Sequence, residues 1–156
     1  MPGHIKTTKA KRAVAEGNDA RAYILDRQAG FVLRLAQQRH TTIFASLMIE
    51  GLTPTQWAAL AKLKEIGPSS QNLLGRLTAM DAATIKGVID RLSKRGLTRT
   101  RPDSTDARRV LVALTERGEA LYERVRPIAE RITEETLAPL NDDERAELFA
   151  FLRRLT

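Results

Sequence analysis

Ile85, Val88, Ile89 and Leu92 recur at the spacing of one buried helical stripe, which predicts a helix from Asp81 to Arg95 with Thr84, Lys86, Gly87 and Lys94 turned outward. Gly96 is placed to stop it. From Leu97 to Arg101 the pattern changes to the alternation of a strand, Pro102-Asp103-Ser104 supplies a turn, and Val110 to Leu114 reads as the returning strand. Ahead of the stripe, residues 70–77 read as a short helix, and a three-residue turn leads to Asp81 as N-cap of the longer one. Residues 69–118 are therefore expected to form helix, turn, helix and hairpin.

Longer helices are expected on both sides. Between Ala22 and Ile49, Leu33, Gln37, His40, Phe44 and Met48 fall on one side of a single helix, and Leu25, Val32, Ala36, Ile43 and Leu47 widen its apolar surface. So broad a face touches more than one neighbour. The next start signal combines Thr53 as N-cap, Pro54 at the first helical position, Gln56 closing a capping box and Leu52 stapled against Trp57; Gly67-Pro68 ends that helix. Thr115 caps a helix through Leu121, Val125, Ile128 and Ile132, with a kink expected at Pro127. After Pro139, Asn141 and Glu144 start a last helix carrying Leu148, Phe149, Phe151, Leu152 and Leu155. That helix is too apolar for its length to sit alone, so the terminal helices are expected to pair with those of a second copy in a homodimer.

The expected fold is mainly α with a small β-hairpin wing: a winged helix-turn-helix with long N- and C-terminal dimerisation helices. Its expected divisions are a flexible basic arm (1–21), an N-terminal dimerisation and pocket helix (22–53), a DNA-binding region (54–118) and C-terminal dimerisation helices (119–156).

Charge sharpens the picture. The 156 residues suffice for one domain, and the net charge of +7 is unevenly spread. Residues 68–118 carry ten Lys/Arg against five Asp/Glu, or +5, while 119–156 carry six against nine, or −3. The basic excess coincides with the helix-turn-helix and hairpin, the footprint expected of a double-stranded DNA partner. Lys6, Lys9, Lys11 and Arg12 make the N-terminal arm basic, either solvated or touching the DNA backbone. The absence of cysteine excludes disulfides, thiol redox sensing and cysteine-bound zinc, and no metal or cofactor is expected. No apolar run approaches the roughly 18 residues of a membrane span, and no signal-peptide core is present, so a cytoplasmic location without a membrane partner is expected. With no glycine-rich phosphate loop and only His4 and His40 as imidazoles, an enzyme is not expected. The alternative reading is a sequence-tolerant architectural DNA-binding protein without an effector.

In a helix-turn-helix, the N-terminal half of the second helix reaches base edges, which nominates Ala82, Ala83, Thr84, Lys86 and Gly87, with Arg91 further along. Threonine can bond several bases or touch a thymine methyl, and lysine can donate to guanine. Gly87 inside a helix implies a close approach, either of DNA or of a neighbouring helix. On the hairpin, Arg108 is the candidate for minor-groove insertion, with Asp106 orienting it, and Arg99, Arg101 and Arg109 are candidate phosphate contacts.

The order of elements over residues 22–156 resembles the MarR family of bacterial transcription regulators. The resemblance is carried by Asp90-Arg91-Leu92-Ser93-Lys94-Arg95-Gly96-Leu97, then Asp106-Ala107-Arg108-Arg109, then Leu114-Thr115-Glu116-Arg117-Gly118. It implies a dimeric winged-helix repressor, less often an activator, whose DNA affinity is changed by a small molecule, often an aromatic acid or phenol. It also implies that Asp106 fixes the wing through an ion pair, with Arg76 as the candidate partner. The implied effector pocket lies where the first helix, the second helix and the helix after the wing meet. His40, Phe44 and Trp57 fit that place, with Arg39 and Gln38 as polar neighbours. His40 reads equally as an interior histidine, Trp57 as a core anchor, and Arg39 and Gln38 as solvent-facing. Two departures from the family pattern are Gly87, where many members are basic, and Thr98 and Thr100, where many have an apolar residue followed two positions later by arginine.

Overall fold

The computed structural model describes residues 22–106 and 108–156; the expected N-terminal arm lies outside them. The elements are α1 (Ala29–Leu47), α2 (Pro54–Ile66), β1 (Ser69–Ser70), α3 (Gln71–Leu77), α4 (Ala82–Lys94), β2 (Thr98–Pro102), β3 (Val110–Leu114), α5 (Glu116–Leu137) and α6 (Asp142–Arg153). The fold is the expected winged helix-turn-helix between long helices, with one strand more than expected. Ser69 and Ser70 pair antiparallel with Val112 and Leu111, so the sheet runs β1-β3-β2.

The helix starts follow from side chains that take up otherwise unpaired backbone N–H groups. Thr53 and Gln56 close the expected capping box on α2, and Asn141 and Glu144 close one on α6. Ser70 caps α3, Asp81 caps α4 and Thr115 caps α5. The first helix is shorter than expected. Leu25–Arg27 forms a separate 3-10 turn, and Gln28 is extended at φ −91° and ψ 126°, its side-chain amide donating to the Ile24 carbonyl at 2.9 Å. The apolar residues before Gln28 kept the helical period running, but Tyr23 and Leu25 lie exposed and hold no helix in place. At the other end α1 stops at Leu47, and Glu50 and Gly51 both take positive φ. The helical assignment of α5 continues through Pro127.

One core joins the winged region to α5. Leu60 and Leu63 of α2, Leu74 of α3, Ile85, Val88, Ile89 and Leu92 of α4, Leu97, Val112 and Val125 are all buried and mutually packed. The stripe read from the sequence is thus the inward face of α4. Where the wing passes into α5, Gly118 is packed so closely that a Cβ there would collide with the Leu97 carbonyl. Thr115 locks the same junction: its hydroxyl donates to the Gly96 carbonyl at 2.6 Å and accepts from the Gly118 N–H at 3.0 Å. The Leu-Thr-x-x-Gly segment therefore fixes the wing to the helix that follows it. In contrast, α6 has no buried residue, and Val32, Leu33, Leu35, Phe149, Phe151 and Leu155 of the terminal helices are exposed.

Candidate nucleic-acid interface

Asp81 accepts the Thr84 N–H at 2.7 Å, which fixes the first turn of α4, and its hydrogen bonds from Thr84 hold the carboxyl below its ordinary pKa. Ala82, Ala83, Thr84 and Lys86 follow on the exposed side. Lys86 is not a free cation, however. Its ammonium lies 2.8 Å from Asp90 one turn on, and the hydrogen bond raises the lysine pKa and lowers that of the aspartate. Both groups are well exposed, so water screens the pair, which contributes little to stability and opens readily.

For Gly87 the structure bears on the neighbouring-helix alternative alone. The nearest atoms to a Cβ built there belong to the Arg91 guanidinium, with Nη2 at 3.4 Å. No neighbouring helix makes the close approach. A Cβ would be in ordinary contact there, and Arg91 lies back along the helix surface with its charge toward the N-terminal half of α4.

The wing tip is a loop bonded to itself. The Asp103 N–H donates to the Arg109 carbonyl, and the Arg109 N–H to the Asp106 carbonyl, each at 2.9 Å. Asp103 Oδ1 accepts from the Thr105 N–H and hydroxyl at 2.9 and 2.8 Å, bonds that hold its carboxyl pKa low. Asp106 Oδ1 accepts the Arg108 N–H at 3.0 Å and its Nε at 3.3 Å. Asp106 does orient Arg108, but the expected pairing of Asp106 with Arg76 is not found. Both Asp106 bonds are local, closing a turn two residues long, and Arg76 instead lines a groove with Arg109, Ser70, Gln71 and Asn72. The sequence reading missed those α3 residues as possible backbone contacts, although the Ser70 cap and the basic Arg76 were legible signals. Arg108 itself is 93% exposed.

Arg99 and Arg101 lie on the other face of the wing. Thr98 is buried and its hydroxyl is 2.9 Å from that of Ser93 on α4, so strand alternation turns Arg99 and Arg101 away from α4. They line a groove of about 290 Å³ with Lys64, Pro68 and Glu119.

The five residues expected around an effector are divided by the structure. His40 Nδ1 lies 3.0 Å from the Thr136 hydroxyl, whose own proton goes to the Ile132 carbonyl at 2.7 Å. Nδ1 must then be the donor, which leaves Nε2 as the acceptor in the neutral ring. His40 lines a cleft of about 170 Å³ with Thr133, Thr136, Leu137 and Phe149, and Phe44 is buried beside it with ring centroids 6.3 Å apart. Arg39 is spent on the Glu135 carbonyl at 3.1 Å, and Gln38 is exposed. Trp57 does not join them: it stacks on Tyr122 of α5 at 5.4 Å and packs against the core, because the staple position faces inward. Thr133, Thr136 and Phe149 complete the cleft and were not foreseen, since only the tertiary pairing of α1 with α5 and α6 brings them there.

The sequence profile of the MarR family matches residues 52–110. Over 138 residues, covering 88% of this chain and 87% of the relative, the sequence is 41% identical to the HTH-type transcriptional repressor NicR of Pseudomonas putida. The chain belongs to the MarR family. Among solved structures, this MarR-family chain superposes with a TM-score of 0.83 on one described as a probable transcriptional regulator from Pseudomonas aeruginosa, at 53% identity over 85% of this chain and 100% of that one. It also matches BpsR of Bordetella bronchiseptica, whose DNA binding is regulated by 6-hydroxynicotinic acid, with a TM-score of 0.82 and 40% identity over 86% of this chain and 96% of that one. The protein is therefore a MarR-type transcriptional regulator and not an enzyme. Among the described residues, no helix of this regulator is long and apolar enough to cross a membrane.

Proposed function

We propose that the protein is a homodimeric repressor that binds an imperfect palindrome in duplex DNA and is released by a small aromatic acid. The observation that carries this reading is the combination of an outward α4, a self-bonded wing presenting the exposed Arg108, and terminal helices whose apolar side chains stay exposed among the described residues. Apolar surface left on α1 and α6 is removed from water when a second copy packs against it, and a twofold axis then sets two α4 helices about one helical turn apart on DNA. In this reading residues 22–53 and 119–156 serve dimerisation and 54–118 serves DNA binding. Thr84, Lys86 and Arg91 meet the major groove, Arg108 the minor groove, and Arg76, Arg99, Arg101 and Arg109 the flanking phosphates.

Repression is supported by the likeness to NicR, and effector release by the likeness to BpsR. The His40 cleft suits such an effector: Nε2 of His40 is left to accept from a phenol or a ring N–H, with Phe149 providing an apolar wall. Anisotropy titrations should show that duplex from upstream of the protein's own gene binds at least about 10³-fold tighter than random duplex. Sedimentation should show a dimer. Equal affinity for both duplexes would make the protein an architectural DNA binder instead. For the effector, 6-hydroxynicotinic acid is the first probe, expected to weaken operator binding by about 5- to 150-fold. A normal response in His40→Ala would show that His40 is structural.

A further inference from the structure

Away from the N-terminal end of α4 and the wing tip, two guanidinium groups converge on one carboxylate and a third lines the same concavity. Glu50 occupies the turn between α1 and α2 at φ 57°, followed by Gly51 at φ 61°, and a non-glycine residue held in the left-handed region needs surrounding contacts to keep it there. Those contacts are arginines. Arg95, the C-cap of α4, donates to the Glu50 carbonyl at 2.8 Å and lies 3.8 Å from its carboxylate, while Arg124 of α5 donates to the carboxylate at 2.9 Å. Arg117 in the first turn of α5 lines the same concavity, of about 130 Å³, and among the described residues no carboxylate lies within ion-pair distance of it. Three positive charges thus face one negative charge.

We propose that this concavity binds a small tetrahedral oxyanion that keeps a proton at neutral pH, namely inorganic phosphate. Planar guanidinium forks match phosphate oxygens, and Arg117 and Arg124 flank the space from the same helix. The acid in the site decides which anion is accepted. An ionised carboxylate has only acceptor oxygens, so Glu50 repels a fully ionised anion but takes a hydrogen bond from a P–OH. Sulfate has the same shape and carries no proton at neutral pH. Occupancy would tie together the α1–α2 turn, the C-terminal end of α4 and the start of α5. The base-reading end of α4 lies at the opposite terminus, beside Asp81.

The test is calorimetric titration of the full-length protein at pH 7 with inorganic phosphate or sulfate, ionic strength being held constant with chloride. The expected result is saturable phosphate binding with sulfate at least about tenfold weaker, and a loss of about tenfold in phosphate affinity on Arg117→Gln. Glu50→Gln should erase the preference by admitting sulfate. Arg117→Lys retains the charge without the fork and should fall between wild type and Arg117→Gln, which keeps the test open if the glutamine variant fails to fold. Equal binding of the two anions to wild type, no saturation, or unchanged binding in both Arg117 variants would overturn the proposal. So would a lower salt slope for operator binding in Arg117→Gln, since the guanidinium would then belong to a DNA phosphate. None of these results depends on which effector the His40 cleft takes.

Discussion

Arg108→Ala isolates what the wing contributes to DNA affinity. The side chain is 93% exposed, its one side-chain bond is the 3.3 Å contact to Asp106, and the backbone N–H that also reaches Asp106 survives in alanine. Folding stability should therefore change by no more than about 0.5 kcal/mol. Binding has more to lose. A hydrogen bond to a charged group contributes about 1.5–3 kcal/mol, and a dimer brings two wings, so the operator complex should weaken by about 3–6 kcal/mol, or roughly 10² to 10⁴-fold. The loss of one cation per wing should also reduce the slope of log affinity against log salt by about 1.8, at about 0.9 per neutralised phosphate. Anisotropy titrations between about 50 and 200 mM salt measure both quantities, and sedimentation shows whether the dimer persists. An intact dimer with affinity and salt slope like wild type would refute the wing assignment, because no other described group sits where Arg108 extends.

Three further outcomes are expected. Gly118→Ala forces a methyl group into the Leu97 carbonyl and should lower stability by about 1–3 kcal/mol, seen as a lower urea midpoint at constant m. Asp81→Ala removes the α4 cap and should cost about 1 kcal/mol at neutral pH. Because the Asp81 pKa is lowered in the folded state, its contribution is complete above the unfolded value near 3.9 and is lost as pH falls through the folded value, so wild type and variant should converge in acid urea titrations. Phe151→Asp places a charge on the uncovered surface of α6 and should shift sedimentation from dimer toward monomer while the helical circular dichroism is kept.

What could be read from the sequence was whatever local chemistry decides. The caps at Thr53, Asp81, Thr115 and Asn141 act through bonds three residues away, so they were visible without a fold. The Ile85-Val88-Ile89-Leu92 stripe was legible because a single buried face has a period. β1 was not, since two serines have no pattern of their own and become a strand only by pairing with Leu111 and Val112. The break at Gln28 was hidden for the opposite reason: the apolar period continues across it. The site shows the same division. Asp106 and Arg108 are two residues apart, so their contact could be read from the sequence, while the partition of His40 from Trp57 depends on how α1 and α2 each meet α5, which no spacing records.

If α4 and the wing meet DNA as proposed, their charge arrangement separates affinity from selectivity. Along the outward face of α4, Asp90 pairs with Lys86 and Arg91 lies over Gly87, so the N-terminal half presents hydroxyl, methyl and a single folded-back guanidinium, while Lys94 stands exposed in the last turn. The wing carries its cations differently: Arg108 projects from the tip and Arg99 and Arg101 stand on the outer face. Phosphate attraction is indifferent to sequence, whereas contacts to base edges are specific only if a wrong base leaves them unpaired. In the proposed reading the Lys86–Asp90 pair gives that half little to gain from a random duplex, because opening the pair is offset only where an acceptor such as guanine O6 or N7 is waiting. In the proposed reading the wing supplies most of the salt-dependent binding and α4 most of the discrimination, which would put the two functions on separate elements joined at the Thr115–Gly118 lock.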